Sequence, residues 1–212
     1  MQTNVKAANF WNRISKRYAK KAVPNEEIYL RKVELTQAYL LSSDSVLEFG
    51  CGTGSTAIMH ASKVERVEAT DISPAMIEIA KERASAANVS NVSFEVGALE
   101  DFNFKPDSYN AVLGLNVMHL VENPSSTLTE IHRVLREGGV FVSSTPLIQN
   151  EFVIVRWLVK FVQFIGLVPK IHSFKREEYL DLVSEAGFDA VFAWTPSENS
   201  IFVIAKKLAP KD

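Results

Sequence analysis

Residues 46–57 read VLEFGCGTGSTA, and few folds accommodate such a stretch. Val46, Leu47 and Phe49 form a short apolar run of the kind a buried strand shows. Gly50, Cys51, Gly52, Thr53 and Gly54 follow with almost no Cβ atoms in the way, so something must approach this backbone closely. One carboxylate, Glu48, stands two residues ahead of the first glycine.

The surrounding chain alternates. Runs at 66–70, 92–96, 109–115 and 140–145 are short and β-rich, with helical patterns between them. Ser73 then Pro74, and Asn123 then Pro124, each supply an N-cap with proline in the first turn, and Gly138 and Gly139 are expected to stop the second of these helices. Such alternation implies right-handed βαβ crossovers and a mostly parallel sheet, with ligands beyond the carboxyl ends of the strands. Two helices lead in, at 7–21 and 25–41, parted by Pro24 and Asn25. The last third departs from alternation: an apolar helical segment at 151–168, a helix at 175–186 ending at Gly187, and strands at 189–194 and 200–206 read as an antiparallel edge pair.

A chain of 212 residues can bury a full core in one domain. Its net charge of -2 gives no global reason to expect nucleic acid as a partner. A single cysteine excludes an internal disulfide, and no secretory leader pattern opens the sequence, so a cytoplasmic location is expected. No run reaches the roughly 18 to 20 uncharged apolar residues of a membrane span.

A glycine turn after a strand suits a pyrophosphate if it reads G-x-G-x-x-G, but Ser55 stands where the third glycine belongs and no Walker lysine follows. Glu48 would also repel a phosphate, and a cationic ligand suits it better. Glu48, Phe49 and then Gly50 to Gly54, an acid, a spacer and G-x-G-x-G, resemble the class I S-adenosylmethionine-dependent methyltransferases. The resemblance covers roughly residues 40 to 145, with a weaker echo in 175 to 206. It implies an α/β, Rossmann-like, doubly wound and mostly parallel seven-stranded sheet with an antiparallel edge pair. That single domain, 1–212, would comprise an N-terminal helical lid (1–41), a cofactor core (42–146), a helical insertion or substrate cover (147–174), and a C-terminal helix with edge strands (175–212).

The implied cofactor is S-adenosylmethionine. Its carboxylate would lie against amides of the Gly50, Cys51, Gly52, Thr53, Gly54 turn, and its cationic end near Glu48. Asp71, after the second strand, takes the place of the family's ribose acid, although it could simply cap the helix starting at Pro74. Ile72 and Met76 would flank the adenine, with core packing the other reading of Met76. After the third strand the family often has G-D-A, whereas here Gly97, Ala98 and Leu99 precede Glu100 and Asp101. Adenine would then meet the Ala98 and Leu99 amides, with Glu100 reaching across.

Asn116, Val117 and His119 fall at the rim after the fourth strand, where the methyl group should point. His119 is either a general base or a packing residue, and in-line methyl transfer needs no base when the nucleophile is already electron-rich. The N-P-P-Y tetrad, which resembles a base- or amide-methylating site, is replaced by Asn116, Val117, Met118 and His119, and no metal-ligand cluster is visible. Cys51 reads as a small packing residue, and His60, His132 and His172 as structural or solvated.

Two segments bear on the acceptor. Phe10, Trp11, Ile14 and Tyr18 share a side of the first helix, which carries Arg13, Lys16, Arg17, Lys20 and Lys21 and no acid. It is open to two readings, a lid bringing Tyr18 to the methionine end of the cofactor or a basic surface on an anionic membrane. Residues 152–168, FVIVRWLVKFVQFIGLV, carry only a narrow polar stripe of Arg156, Lys160 and Gln163. They read as buried cover, as an apolar roof over the acceptor, or as an interfacial helix anchored by Trp157. Together they lead to an expected methyl transfer onto a small hydrophobic or amphiphilic, lipid-like acceptor, releasing S-adenosylhomocysteine, with peripheral membrane contact open. The general resemblance is to the quinone and phospholipid branch. A polar metabolite acceptor and a non-catalytic cofactor-binding module are the alternatives, and an NAD-dependent oxidoreductase is disfavoured by Ser55.

Overall fold

The computed structural model describes residues 2–147 and 171–208. The elements are α1 (Gln2–Lys20), α2 (Glu26–Gln37), β1 (Ser45–Phe49), α3 (Ser55–Ala61), β2 (Arg66–Asp71), α4 (Pro74–Ala86), β3 (Val92–Val96), a 3-10 turn (Leu99–Asp101), β4 (Tyr109–Leu115), α5 (Pro124–Val134), β5 (Leu135–Pro146), α6 (Arg176–Glu185), β6 (Phe188–Ser197) and β7 (Ser200–Lys207). The strands form one seven-stranded sheet in the order β3-β2-β1-β4-β5-β7-β6. β1 to β5 run parallel, and β7 runs antiparallel to both β5 and β6. The mostly parallel sheet with an antiparallel edge pair is therefore as the sequence implied.

The strand period of two sorts the core into two layers. Leu47, Phe49, Val112 and Phe141 face α5 and α6 through Leu128, Ile131, Tyr179 and Val183. Val46, Ala111, Leu113 and Val142 face α3 and α4 through Ala57, Ile77 and Ala80, with Leu35 of α2 packed alongside. Every residue of β1 is buried, as expected for a central strand covered on both faces. Ser73 and Asn123 cap α4 and α5 by accepting from the Met76 and Ser126 amides.

Three boundaries differ from expectation. α1 already begins at Gln2, and α2 ends at Gln37, after which Leu41 donates to the Asp44 carboxylate in a turn. Gly138 and Gly139 do not stop α5, which ends at Val134 as Leu135 turns extended. They sit within β5, where Gly138 takes a φ of 71° and the pairing register with β4 jumps between Tyr109 and Ala111. Gly138 thus serves a strand irregularity, where a positive φ is needed. The apolar segment at 151–168 lies outside the described residues.

Candidate functional site

Glu48 sits in the middle of the sheet, paired by backbone register with Ala69 on one side and Leu113 on the other. It is 2% exposed, and a carboxyl so placed pays heavily for its charge. Oε1 accepts from the Thr56 hydroxyl at 2.6 Å, while Oε2 is buried with no partner among the described residues. Burial pushes this carboxyl up to about 7, the Thr56 hydrogen bond opposing and the Asp71 charge adding to it.

The glycine turn is held from behind. The Cys51 amide donates to the Thr70 carbonyl, the Gly54 amide to the Cys51 carbonyl, and the Gly52 amide to Asp71 Oδ2 at 2.9 Å. These three amides are committed to the protein itself, which corrects the expectation that the whole turn offers donors to a ligand. What the turn offers is thinness: Gly50, Gly52 and Gly54 all have positive φ, and a Cβ on Gly52 would meet nothing within 4 Å. Val117 closes over Gly50, where a Cβ would collide with its side chain. Cys51 is 7% exposed, and burial first, then Glu48 and Asp71, push its thiol well up, so it is inert packing.

Asp71 ends β2. Its second oxygen accepts from the Ser73 amide at 2.8 Å, and burial raises its carboxyl while the Ser73 and Gly52 amides pull it back. One carboxylate therefore ties the glycine turn to the start of α4 and keeps lone pairs on both oxygens. Ile72 is half-buried beside it, whereas Met76 is 2% exposed, for which packing alone accounts. At the end of β3 the Ala98 amide donates to Asp101 at 2.8 Å, and Glu100 is turned toward Thr127. This corrects the adenine arrangement expected there: the Ala98 amide is taken, Glu100 does not reach across, and Leu99 is buried at 2%. An open groove lined by Asn12, Pro74, Ala75 and Val96 lies nearby, Val96 being the register partner of Asp71.

Two residues the sequence reading missed, Asn12 and Arg83, hold the α1 side of the site. Asn12 accepts from the Ser73 hydroxyl at 2.7 Å and the Ala75 amide at 3.2 Å. Arg83 donates to Thr53 Oγ1 at 2.6 Å and Ser55 Oγ at 3.0 Å with one nitrogen, and to the Ala19 carbonyl at 2.7 Å with the other. Its place seven residues after Met76 on α4 puts it on that residue's helix face, a signal the sequence does carry. Tyr18, one residue before Ala19, is 48% exposed, and its phenol is raised by burial and then by the Asp71 charge. Tyr29 of α2 has its phenol pushed up to about 12, by burial and then by Glu48. Two helices thus come over the carboxyl end of the sheet, one toward Asp71 and one toward Glu48.

Asn116 adopts a φ of 57° just after β4, with its amide on the Ser144 carbonyl at 2.7 Å. The His119 carbonyl accepts from the His172 amide at 2.7 Å, and His119 Nδ1 is buried without a partner among the described residues. Burial, then the His172 charge, lower the ring to about 4. It is neutral at pH 7 but only weakly basic, which favours the packing reading. His60 is fully buried on α3. No group of three or more potential metal ligands exists among the described residues.

Residues 46–139 match the family described as methyltransferase domain. A demethylmenaquinone methyltransferase of Symbiobacterium thermophilum is 28% identical over 141 residues, covering 63% of this chain and 55% of its own length. A malonyl-[acyl-carrier protein] O-methyltransferase of a Paenibacillus species is 24% identical over 74% of this chain and 59% of its own. The chain thus spans somewhat more than half the length of these curated relatives. The structure of geranyl diphosphate C-methyltransferase from Streptomyces coelicolor, in complex with Mg2+, geranyl diphosphate and S-adenosylhomocysteine, superposes with a TM-score of 0.76 at 14% identity, over 98% of each chain.

Proposed function

We propose that this chain, whose residues 46–139 match the methyltransferase-domain family, binds S-adenosylmethionine and methylates a small hydrophobic or amphiphilic acceptor. The observation that carries the cofactor site is the unpartnered Glu48 Oε2, buried at the carboxyl end of the central strand behind a turn thin enough for close approach. Asp71, with lone pairs to spare on both oxygens, suits the two ribose hydroxyls. When bound, the cofactor supplies an electrophilic methyl on a sulfonium and leaves as S-adenosylhomocysteine. The chain's own part is positioning and exclusion of water: Glu48 faces the cationic end, Val117 and the residues after β4 line the methyl side, and α1 with Tyr18 serves as the lid. With His119 so weakly basic, no side chain is assigned as an obligatory base. The acceptor class is supported by the apolar sequence of residues 152–168 and by the name of the Symbiobacterium relative. No helix among the described residues is long and apolar enough to cross a membrane.

Incubation with methyl-labelled S-adenosylmethionine and a cell extract, followed by solvent partition, tests this. Label in the organic phase supports the reading. Label confined to water-soluble products replaces it with a polar metabolite acceptor, and cofactor binding without any transfer replaces it with a non-catalytic module.

The Glu48 carboxyl gives the site a pH signature. If its ionised form faces the ligand's amino group, binding expels a proton from a group titrating at about 7. Affinity for S-adenosylhomocysteine should then fall about tenfold from pH 8 to pH 6, as the fraction ionised falls by that factor. In the free protein the same raised value makes Glu48 burden the fold as pH rises through 7, so the ligand-induced rise in Tm should be larger at pH 8. Glu48→Gln should bind with an affinity flat over this range. Calorimetry in buffers of different ionisation heat checks the proton count.

A further inference from the structure

Lys32 is the side chain that the site as described leaves without a task. It projects from α2 one turn beyond Tyr29, and its Nζ donates to Ser144 Oγ at 2.7 Å. Ser144 is two residues from the carboxyl end of β5, 1% exposed, and its hydroxyl lies 3.5 Å from Asn116 Oδ1. The ammonium also stands 5.9 Å from the centroid of the Phe202 ring. No carboxylate lies within ion-pair distance of it among the described residues, whereas the Lys207 ammonium meets Asp107 at 2.8 Å. Burial lowers its basicity. A half-buried ammonium with one hydroxyl and one ring is under-compensated, and the remaining N–H bonds are free to meet an anion.

Position decides which anion. Tyr29 feels the Glu48 charge, so this face of α2 runs from the sulfonium side of the site outward to Lys32. Asn116 lies just past the end of β4 and Ser144 near the carboxyl end of β5, the side on which the acceptor must enter. Resting on the methyltransferase reading above, we propose that Lys32, held in place by the Ser144 hydroxyl and flanked by the Asn116 side-chain carboxamide, seats an anionic oxygen of the acceptor. That oxygen is either a carboxylate set apart from the methylated atom or a hydroxyl ionised in conjugation with it. An acceptor of this kind is amphiphilic: an apolar body with one acidic oxygen facing α2.

The test uses the full chain saturated with S-adenosylhomocysteine and three probes of one skeleton: 2-naphthoate, 2-naphthol and neutral 2-naphthalenemethanol. Calorimetry at pH 7 should show at least one acidic probe binding about tenfold or more tighter than the neutral alcohol, and Lys32→Met should erase that preference while leaving affinity for S-adenosylhomocysteine unchanged. Lys32→Arg should restore part of it, which a role confined to packing of α2 would not produce, and it serves also if Lys32→Met folds poorly. Preference for naphthoate alone identifies a distant carboxylate. Naphthol bound with the absorption of its anion identifies the conjugated oxygen. Equal binding of all three probes, or a preference that survives in Lys32→Met, overturns the seat. Failure of the wild type to bind S-adenosylhomocysteine overturns instead the cofactor reading on which the seat rests.

Discussion

Asp71→Ala is expected to weaken binding of S-adenosylhomocysteine by tenfold to about a hundredfold while the protein stays folded. A charge-assisted hydrogen bond is worth roughly 1.5 to 3 kcal/mol, and each 1.4 kcal/mol is about a factor of ten. Two losses combine. The ribose would lose its acceptor, and the Gly52 and Ser73 amides would lose the carboxylate that holds the glycine turn against the start of α4. Asp71→Asn separates them, since its one remaining carbonyl oxygen can satisfy only one of the two amides without charge. Calorimetry alongside thermal unfolding reads both, and an Asp71→Ala protein with wild-type affinity would remove this residue from the cofactor site.

The glycines should divide into two kinds. Gly54→Ala is expected to damage the fold: a left-handed φ of 75° costs a non-glycine residue about 1 to 2 kcal/mol, and the added Cβ would come within 2.8 Å of the Ala80 Cβ and 2.9 Å of the Phe94 ring. Overpacking of that sort adds about 1 to 3 kcal/mol. For a chain of this size the sum lowers Tm by about 5 to 20 °C. Gly52→Ala meets no atom within 4 Å, so only the strain of its φ of 55° burdens the fold, and Tm should move by no more than about 8 °C. Its methyl instead occupies the open space before the turn, and affinity for S-adenosylhomocysteine should drop by at least about tenfold. Similar melting losses in both variants with unchanged affinity in Gly52→Ala would refute the idea that this space admits the ligand.

Some of the site was legible because its signals are local in the chain. An acid inside an apolar run, three glycines at alternate positions and a serine-proline helix start each dictate a backbone conformation within a few residues. The same locality explains one miss: Asp101 stands three residues after Ala98 and reaches back to its amide as an acid at the third position of a turn does. The Ala98 amide expected to meet adenine is thus claimed by turn chemistry close by in the chain. Gly138 departs from expectation for a related reason, since a glycine after a helical pattern and a glycine at a strand irregularity both answer a need for positive φ.

By itself the sequence determined the order and type of the elements, the antiparallel edge pair, the thin turn behind Glu48 and the placing of Asp71 at the end of β2. These follow from periodicity and from conformations that only certain residues tolerate. Only the tertiary structure decided which partners complete the site. Arg83 reaches Ala19 across 64 positions, and Lys32 reaches Ser144 across 112. The spacing that puts Arg83 on the helix face of Met76 does not name its partner, and Lys32 reads like any other cation on an amphipathic helix. The crossing of α1 and α2 over the carboxyl ends of the strands is set by burial of apolar faces, and that burial fixes where a charge on the opposite edge of the helix comes to rest.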